Sequence, residues 1–360
     1  MNPENKKIVV GMSGGVDSSV SAYLLKEAGH EVIGITMKVW PQDCISRAED
    51  KCCGPQAVAD ARGVAHALGI PHYVIDEAAE FEKVVIDYFK SEYQLGRTPN
   101  PCVMCNEKLK FGNLLTRARS FGAIKVGTGH YARVEKRNER WVLLKGVDPR
   151  KDQSYFLFSL SQEQLAHTLM PLGGMAKPEV REVARKLGLK VYDKEDSQEI
   201  CFVPGNDYGA FLKSHMGEKE FHPGDIVHRD GRVLGKHEGI EYFTVGQRKG
   251  IGLSHPTPLY VLDIDPATSR VVVGDDGDLW NETFEVDRVI WSGVGGCEDG
   301  REISVKIRHS HAGGAARMFQ AEKGRVRIEW LEPQRAVTPG QAAVFYDQDL
   351  VLGGGWISRK

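Results

Sequence analysis

Residues 100–106 read NPCVMCN, which sets Cys102 and Cys105 three positions apart behind a proline. A C-x-x-C pair admits four chemistries: half a zinc site, dithiol redox exchange, iron–sulfur ligation, or the handling of sulfur as a reactant. A third cysteine, Cys201, lies in SQEICFVP after a short apolar stretch. Taken alone it reads as a small buried hydrophobe, the common fate of an unbridged cysteine. The second chemistry-bearing stretch is Ser13-Gly14-Gly15-Val16-Asp17-Ser18-Ser19, between an apolar strand pattern and an amphipathic helix pattern. Two glycines let a backbone approach a phosphate without interference from Cβ. The helix N-terminus then offers N–H groups and the positive end of its dipole. Ser13 and Ser18 add hydroxyl donors. Asp17 would be repelled by phosphate and fits better as a ligand of the phosphate's Mg²⁺. The lysine of a G-x-x-x-x-G-K-[ST] loop is missing.

The elements that must position these residues alternate over the first ~200 residues, predicting a parallel sheet with helices on both faces. Strands are expected at 6–12, 30–40 and PHYVIDE. Helices are expected at 16–29 (stripe Val20, Leu24, Ala28), 55–69, 81–96 and 109–122. The last helix feeds a strand, IKVGTGHYARV, and NPCVMCN lies in a loop. Ligands of such sheets bind at the carboxyl ends of the strands, where SGGVDSS, NPCVMCN and GTGH all fall. Beyond Lys151, DQSYFLFSLSQEQLAHTLMPLGG and PEVREVARKLG read as helical. From about 218 the chain is rich in Gly, Pro and short strands, including EYFTVGQRKGIGL, and the end reads as a small barrel. The expected class is α/β, divided into a catalytic domain with a helical extension (1–215), a β-rich central domain (216–280) and a C-terminal β-barrel (281–360).

A chain of 360 residues exceeds what one core usually serves. Its 41% hydrophobic and 27% charged content suits a globular enzyme. No apolar run approaches the ~20 residues of a spanning helix. The opening MNPENKKIVVGMSGG lacks the features of a signal peptide, so a reducing cytoplasm and no membrane partner are expected. Seven cysteines, an odd number, argue there against a disulfide scaffold. A net charge of −2 argues weakly against a nucleic-acid partner. Local basic clusters remain, at Arg133–Arg140, at Lys145, Arg150 and Lys151, and at Arg308 with His309 and His311.

SGGVDSS resembles the PP-loop of the N-type ATP pyrophosphatases, whose domain is adenine nucleotide alpha hydrolase-like. The order SGGVDSS, NPC-x-x-CN, GTGHYAR, KDQSYFL, SQEICFVP, TVGQRKG and a β-rich final third resembles the bacterial tRNA-specific 2-thiouridylases over nearly the whole chain. That resemblance implies ATP and Mg²⁺, and sulfur insertion at C2 of the wobble uridine in glutamate, glutamine and lysine tRNAs. Gly11, Met12, Ser13, Gly14, Gly15, Val16, Asp17 and Ser18, with Met37 and Gly129, would bind ATP. Cys105 would be the nucleophile and Cys201 the persulfide carrier, with a Cys105–Cys201 disulfide during turnover. Asn100, Pro101 and Cys102 would face a base flipped from its stack. His130, Lys151, Asp152, Gln153, Arg308, His309 and Gln341 would contact tRNA. A cysteine desulfurase, a sulfur-relay protein or inorganic sulfide would donate sulfur.

Some family members carry aspartate where this chain has Cys102. With cysteine there, Cys102, Cys105 and Cys201 form a possible three-thiolate set for a 4Fe–4S cluster with one open iron. The persulfide and cluster routes both stay open from sequence. Further alternatives are a zinc site with Cys52 and Cys53, an amide- or lysidine-forming PP-loop enzyme, and a non-catalytic RNA-binding module. The amide-forming enzymes would leave the cysteines idle. Cys44 and Cys297 carry no motif.

Overall fold

The computed structural model describes residues 6–39, 54–195, 200–203, 205 and 207–359. Cys44, Cys52 and Cys53, and with them the zinc alternative, lie outside these residues. Two compact units divide the chain: Met1–Val85, Cys102–Phe202 and Asp349–Val351 in the first, and Ile86–Pro101, Val203–Gln348 and Leu352–Lys360 in the second. Among the described residues no helix is long and apolar enough to cross a membrane.

The first unit opens with β1 (Lys7–Gly11), α1 (Val16–Glu27), β2 (Glu31–Lys38), α2 (Pro55–Leu68), β3 (His72–Asp76) and α3 (Ala78–Phe81). The helical run continues through a π-turn into α4 (Asp87–Gln94), which belongs to the second unit. The chain returns through α5 (Pro101–Met104), a π-helix (Cys105–Asn113), α6 (Leu114–Ser120), β4 (Lys125–Gly127), β5 (Ala132–Arg137) and β6 (Arg140–Lys145). Next come α7 (Gln162–Ala166), β7 (Thr168–Leu169) and α8 (Lys177–Lys186).

A parallel sheet runs in the order β3-β2-β1-β4-β7. Side chains alternate across a strand, so neighbouring residues of β1 serve opposite cores. Ile8 and Val10 pack with Val20 and Leu25 of α1, Val64 of α2 and Val180 of α8. Val9 turns the other way, onto Leu114 and Ala118 of α6. Sheet and helices on both faces agree with the sequence pattern.

Four local expectations are corrected. In α1 the buried set includes Val16, Val20 and Leu25, while Ala28 is exposed. NPCVMCN is not a loop: Pro101 begins α5 and Cys105 begins the π-helix. Proline suits a first helical position, where no intrahelical partner for its N–H is needed. IKVGTGHYARV is two strands of different sheets, β4 and β5, broken at 128–131. The 151–174 stretch is not one helix but short 3₁₀ turns (Ser154–Phe156, Pro171–Gly174), α7 and β7. Its apolar residues Tyr155, Leu157, Phe158 and Leu160 are buried without a continuous helix, and β7 adds a fifth strand to the sheet. Burial rather than helical period set that pattern.

In the second unit, α9 (Tyr208–His215) precedes a four-stranded sheet of β8 (Gly224–His228), β9 (Val233–His237), β10 (Tyr260–Asp265) and β11 (Arg270–Gly274), ordered β10-β11-β8-β9. Its core joins Ile226, Val261, Ile264, Val271 and Val273 to Ile240, Phe243, Ile251 and Leu259. EYFTVGQRKGIGL is a 3₁₀ turn and loop instead of a strand, because Gly246, Gly250 and Gly252 take left-handed φ of 89°, 76° and 79°. The six strands β12 (Trp280–Ile290), β13 (Arg301–Lys306), β14 (Gly314–Gln320), β15 (Val326–Arg335), β16 (Ala342–Asp347) and β17 (Leu350–Ile357) follow. They run β12-β15-β14-β13-β16-β17, and β12 also pairs with β17. That closure leaves the barrel without a sheet edge.

Candidate active site

The 13–19 loop leaves the carboxyl end of β1 and enters α1 through Gly15, whose extended backbone provides no side-chain cap. The first N–H groups of α1 are thus left for an anion. Ser18 Oγ accepts from the Ser13 amide at 3.1 Å and lies 3.3 Å from Ser13 Oγ. Ser19 Oγ donates to the Gly15 carbonyl at 2.8 Å. Gly14 has φ +71°, and a Cβ there would lie 2.2 Å from the Ala57 carbonyl oxygen at the start of α2. A Cβ on Gly129 would lie 2.6 Å from the Ser18 nitrogen. Glycine is required at both positions, and the 128–131 turn is pressed against the first turn of α1. This is a cradle of main-chain donors that fits a polyphosphate. Met12 is buried, its amide bonded to the Ile35 carbonyl at 2.8 Å, and Thr36 Oγ1 donates to the Met12 carbonyl at 2.7 Å. Gly11 closes β1 against Leu114. Met37 stands near the carboxyl end of β2, partly buried.

Asp17, expected as a Mg²⁺ ligand, is already held by a cation and a phenol. Lys177 Nζ donates to both of its carboxylate oxygens at 2.8 Å, and the Tyr131 hydroxyl donates to Oδ1 at 2.7 Å. The Lys177 side chain is only 8% exposed. A second lysine, Lys194, donates to the Gly14 carbonyl at 3.3 Å and to Asp60 at 2.7 Å. The loop therefore has lysines beside it after all, contributed by α8 and by the segment leading to Cys201. Neither was singled out from sequence.

Cys102 and Cys105 sit one helical turn apart on adjoining α- and π-helical segments, and both are partly buried. Helical residues at i and i+3 share a face. Burial, with Cys105 adding to it and Lys110 opposing, pushes the Cys102 thiol up to about 11. Cys102 is therefore protonated at neutral pH. The next residue, Asn106, donates to the Phe156 carbonyl at 3.1 Å, while its Oδ1 is buried without a hydrogen-bond partner among the described residues. Cys201 is partly buried, and Phe202 beside it packs edge-on against Phe81 with centroids 5.7 Å apart. Among the described residues no three His, Cys, Asp or Glu side chains are gathered as a metal site. The three thiols do not form a preassembled cluster ligand set in this conformation.

The expected RNA contacts have mixed surroundings. His130 is buried, bonded through Nδ1 to Thr128 Oγ1 at 2.9 Å, and set 5.5 Å from the Phe111 ring. Burial holds its pKa well below the ordinary range, so the ring is neutral. Asp152 is buried and accepts from the Gly146 and Ser154 amides and from Ser154 Oγ. Gln153 Oε1 accepts from the Tyr131 amide at 2.9 Å, tying this stretch to the residue that holds Asp17. Lys151 is partly exposed. In the second unit Asn100 and Pro101 are buried and Gln341 Nε2 donates to the Thr98 and Pro99 carbonyls at 3.2 and 2.9 Å. Arg308 donates to the Arg335 carbonyl at 3.3 Å, and His309 is exposed. In the Arg133–Arg140 cluster, Arg133, Lys136 and Arg137 pair with Asp349, Glu139 and Glu135.

Three family models match in succession: a tRNA methyl transferase HUP domain over residues 6–205, a tRNA methyl transferase PRC-barrel domain over 209–275, and an aminomethyltransferase β-barrel domain over 281–357. The chain is 52% identical to the tRNA-specific 2-thiouridylase MnmA of Geotalea uraniireducens, over 99% of this chain and 96% of that one. Identity to the protein of the same name from Lachnoclostridium phytofermentans is 49%, over 98% of this chain and all (100%) of the relative. For the Clostridium perfringens protein it is 48%, over 98% of each. With the loop, the cysteine turn and these full-length similarities together, the chain belongs to the tRNA-specific 2-thiouridylase family.

Proposed function

We propose that this protein catalyses ATP-dependent 2-thiolation of the wobble uridine of glutamate, glutamine and lysine tRNAs, in the cytoplasm. The observation that carries the reading is the glycine cradle at Gly14 and Gly129, closed on the uncapped start of α1. Main-chain donors at a helix N-terminus hold the β- and γ-phosphates and leave the α-phosphorus open to attack. The uracil O2 attacks that phosphorus, the bond to the β-phosphate oxygen breaks, and pyrophosphate leaves. Mg²⁺ would supply charge neutralisation on the phosphates, with Asp17 as the carboxylate that would hold it. Met37 and Gly129 border the nucleotide.

The second half replaces oxygen by sulfur. A persulfide on Cys201, charged by persulfide exchange from a cysteine desulfurase or a relay protein, attacks C2 with its outer sulfur, and AMP leaves with the former O2. The Cys105 thiolate then attacks Cys201 Sγ. The bond between that atom and the transferred sulfur breaks, a Cys105–Cys201 disulfide forms, and 2-thiouridine is released. An external thiol returns both cysteines to the reduced state. Thiolates are the competent nucleophiles for such exchange. Cys102, protonated at neutral pH, serves as a hydrogen-bond donor beside the base, with Asn100 and Pro101. A 4Fe–4S cluster on Cys102, Cys105 and Cys201 is the alternative route for sulfur delivery.

We assign catalysis to residues 1–215 and RNA contact to 216–280 and 281–360, with Arg308, His309 and Gln341 on the barrel side and His130, Lys151, Asp152 and Gln153 on the catalytic side. The test is a reaction with ATP, unmodified tRNA, a cysteine desulfurase with cysteine as the persulfide source and a thiol reductant, read as 2-thiouridine by mass spectrometry. Product confined to the wobble position supports the reading. Pyrophosphate release with an amidated or lysidine-type product would overturn it.

A further inference from the structure

Many cations of the second unit are ion-paired, while several exposed ones, among them Lys213, Lys219, Lys236, Arg270 and Lys323, have no carboxylate partner among the described residues. Arg229, Arg232, Arg301, Arg317, Arg325 and Arg335 each meet a carboxylate. Arg248 and Lys249 are consecutive, both are exposed, and no acidic partner faces either of them among the described residues. They occupy the tip of the loop joining the 3₁₀ turn Ile240–Tyr242 to β10.

This tip is held firmly. Gln247 Oε1 accepts from the Thr244 amide at 2.9 Å and its Nε2 donates to the Lys249 carbonyl at 3.1 Å. The Gly246 amide donates to the Val261 carbonyl at 2.8 Å, and the Val261 amide returns a bond to the Gln247 carbonyl at 2.9 Å. Beyond the tip, Ile251 and Leu259 are plugged into the domain core. Gly250 and Gly252, flanking Ile251 in left-handed conformation, are exposed without side chains to shield their backbone. The loop curls around a solvent-open cavity of about 310 Å³ lined by Arg248, Gly250, Gly252, His255 and Thr257, among others. His255 is oriented by Thr257, whose hydroxyl lies 3.2 Å from Nδ1, which directs Nε2 away from that contact.

Two consecutive exposed cations, of which Arg248 lines the concavity beside an imidazole and bare glycine backbone, match the chemistry of a phosphodiester. The cavity lining holds no Phe, Tyr or Trp ring on which a base could stack. We propose that the 244–259 loop is a phosphate-backbone contact for the tRNA substrate, independent of nucleotide sequence. This inference rests on the tRNA-modifying reading above. Its contribution is electrostatic, so it strengthens RNA binding without touching the chemical steps.

The test compares the full-length parent with an Arg248→Ala/Lys249→Ala variant. Affinity for unmodified tRNA is measured across a salt series, alongside KM, kcat and thermal unfolding. The expected result is affinity on the order of 5–10-fold weaker at about 0.1 M salt, a salt slope shallower by about one to two, a raised KM for tRNA, and unchanged kcat and unfolding temperature. The exchange variant Arg248→Lys/Lys249→Arg should retain parental affinity, because the charges remain. Parental affinity and slope in the alanine variant would overturn the proposal while leaving the thiolation reading intact. A parent that binds no tRNA would overturn both.

Discussion

The nucleotide loop and the cysteine turn of the first unit contrast in how their polar groups are satisfied. Around the loop, Ser13, Ser18, Ser19 and Asp17 all have named hydrogen-bond partners, and Gly14 and Gly129 are packed so closely that no side chain fits. Around the turn, the Cys102 thiol is held protonated and Asn106 Oδ1 is buried without a hydrogen-bond partner among the described residues. A π-helix begins at Cys105, and such windings recur at functional sites. The first site is preorganised for an anion of fixed shape. The second retains an unmet buried acceptor among the described residues. Adenylation needs electrostatic stabilisation set in advance, whereas sulfur transfer must bring changing partners together.

The largest effects should come from breaking the preorganised side. Asp17→Ala and Gly14→Ala should each lower tRNA-dependent pyrophosphate release by roughly 100-fold or more. The first leaves Lys177 buried without its counter-charge, and the second forces both a left-handed alanine and a clash with Ala57. Near-parental release by Asp17→Ala would remove the loop from the chemistry. A smaller effect is expected of Lys177→Met, about 10-fold in pyrophosphate release, with Lys177→Arg recovering part of it. Thermal unfolding should show a loss of only about 1–2 kcal/mol, because Asp17 is partly solvated. Loss of folding in both variants would make Lys177 a structural residue.

The smallest effect sharpens the other side of the contrast. With a thiol near 11, roughly one Cys102 in a thousand is thiolate at pH 8. Iodoacetamide labelling of Cys102, followed by peptide mass spectrometry, should rise about tenfold per pH unit from 8 to 10. A plateau near pH 8 would mean the thiol is ionised at neutral pH, and Cys102 would then be a second nucleophile.

Much of this organisation was legible in the sequence, for identifiable reasons. Parallel strands buried on both faces read as unbroken apolar runs such as Ile8-Val9-Val10. A strand, two glycines and a helix start are local, so the anion cradle followed from seven neighbouring residues. The apolar 151–174 stretch holds only short helical pieces, because burial of its apolar residues does not require one continuous helix. TVGQRKG read as strand until its glycines turned out left-handed. Lys177 and Lys194 were invisible because their partners in the loop lie 160 and 180 residues away. The Cys102 environment was equally out of reach, since burial belongs to the fold and not to a C-x-x-C spacing.

The central claim is that one chain runs adenylation and sulfur transfer at separable sets of residues. It is tested most directly by counting pyrophosphate and 2-thiouridine in the same reactions of the parent, Cys105→Ser and Cys201→Ser with ATP, tRNA and sulfur donor. Pyrophosphate release that persists in both variants, with 2-thiouridine lost by more than about 1000-fold, is the predicted result. Normal thiolation by either variant would contradict the account, and so would loss of pyrophosphate release in both with ATP binding intact.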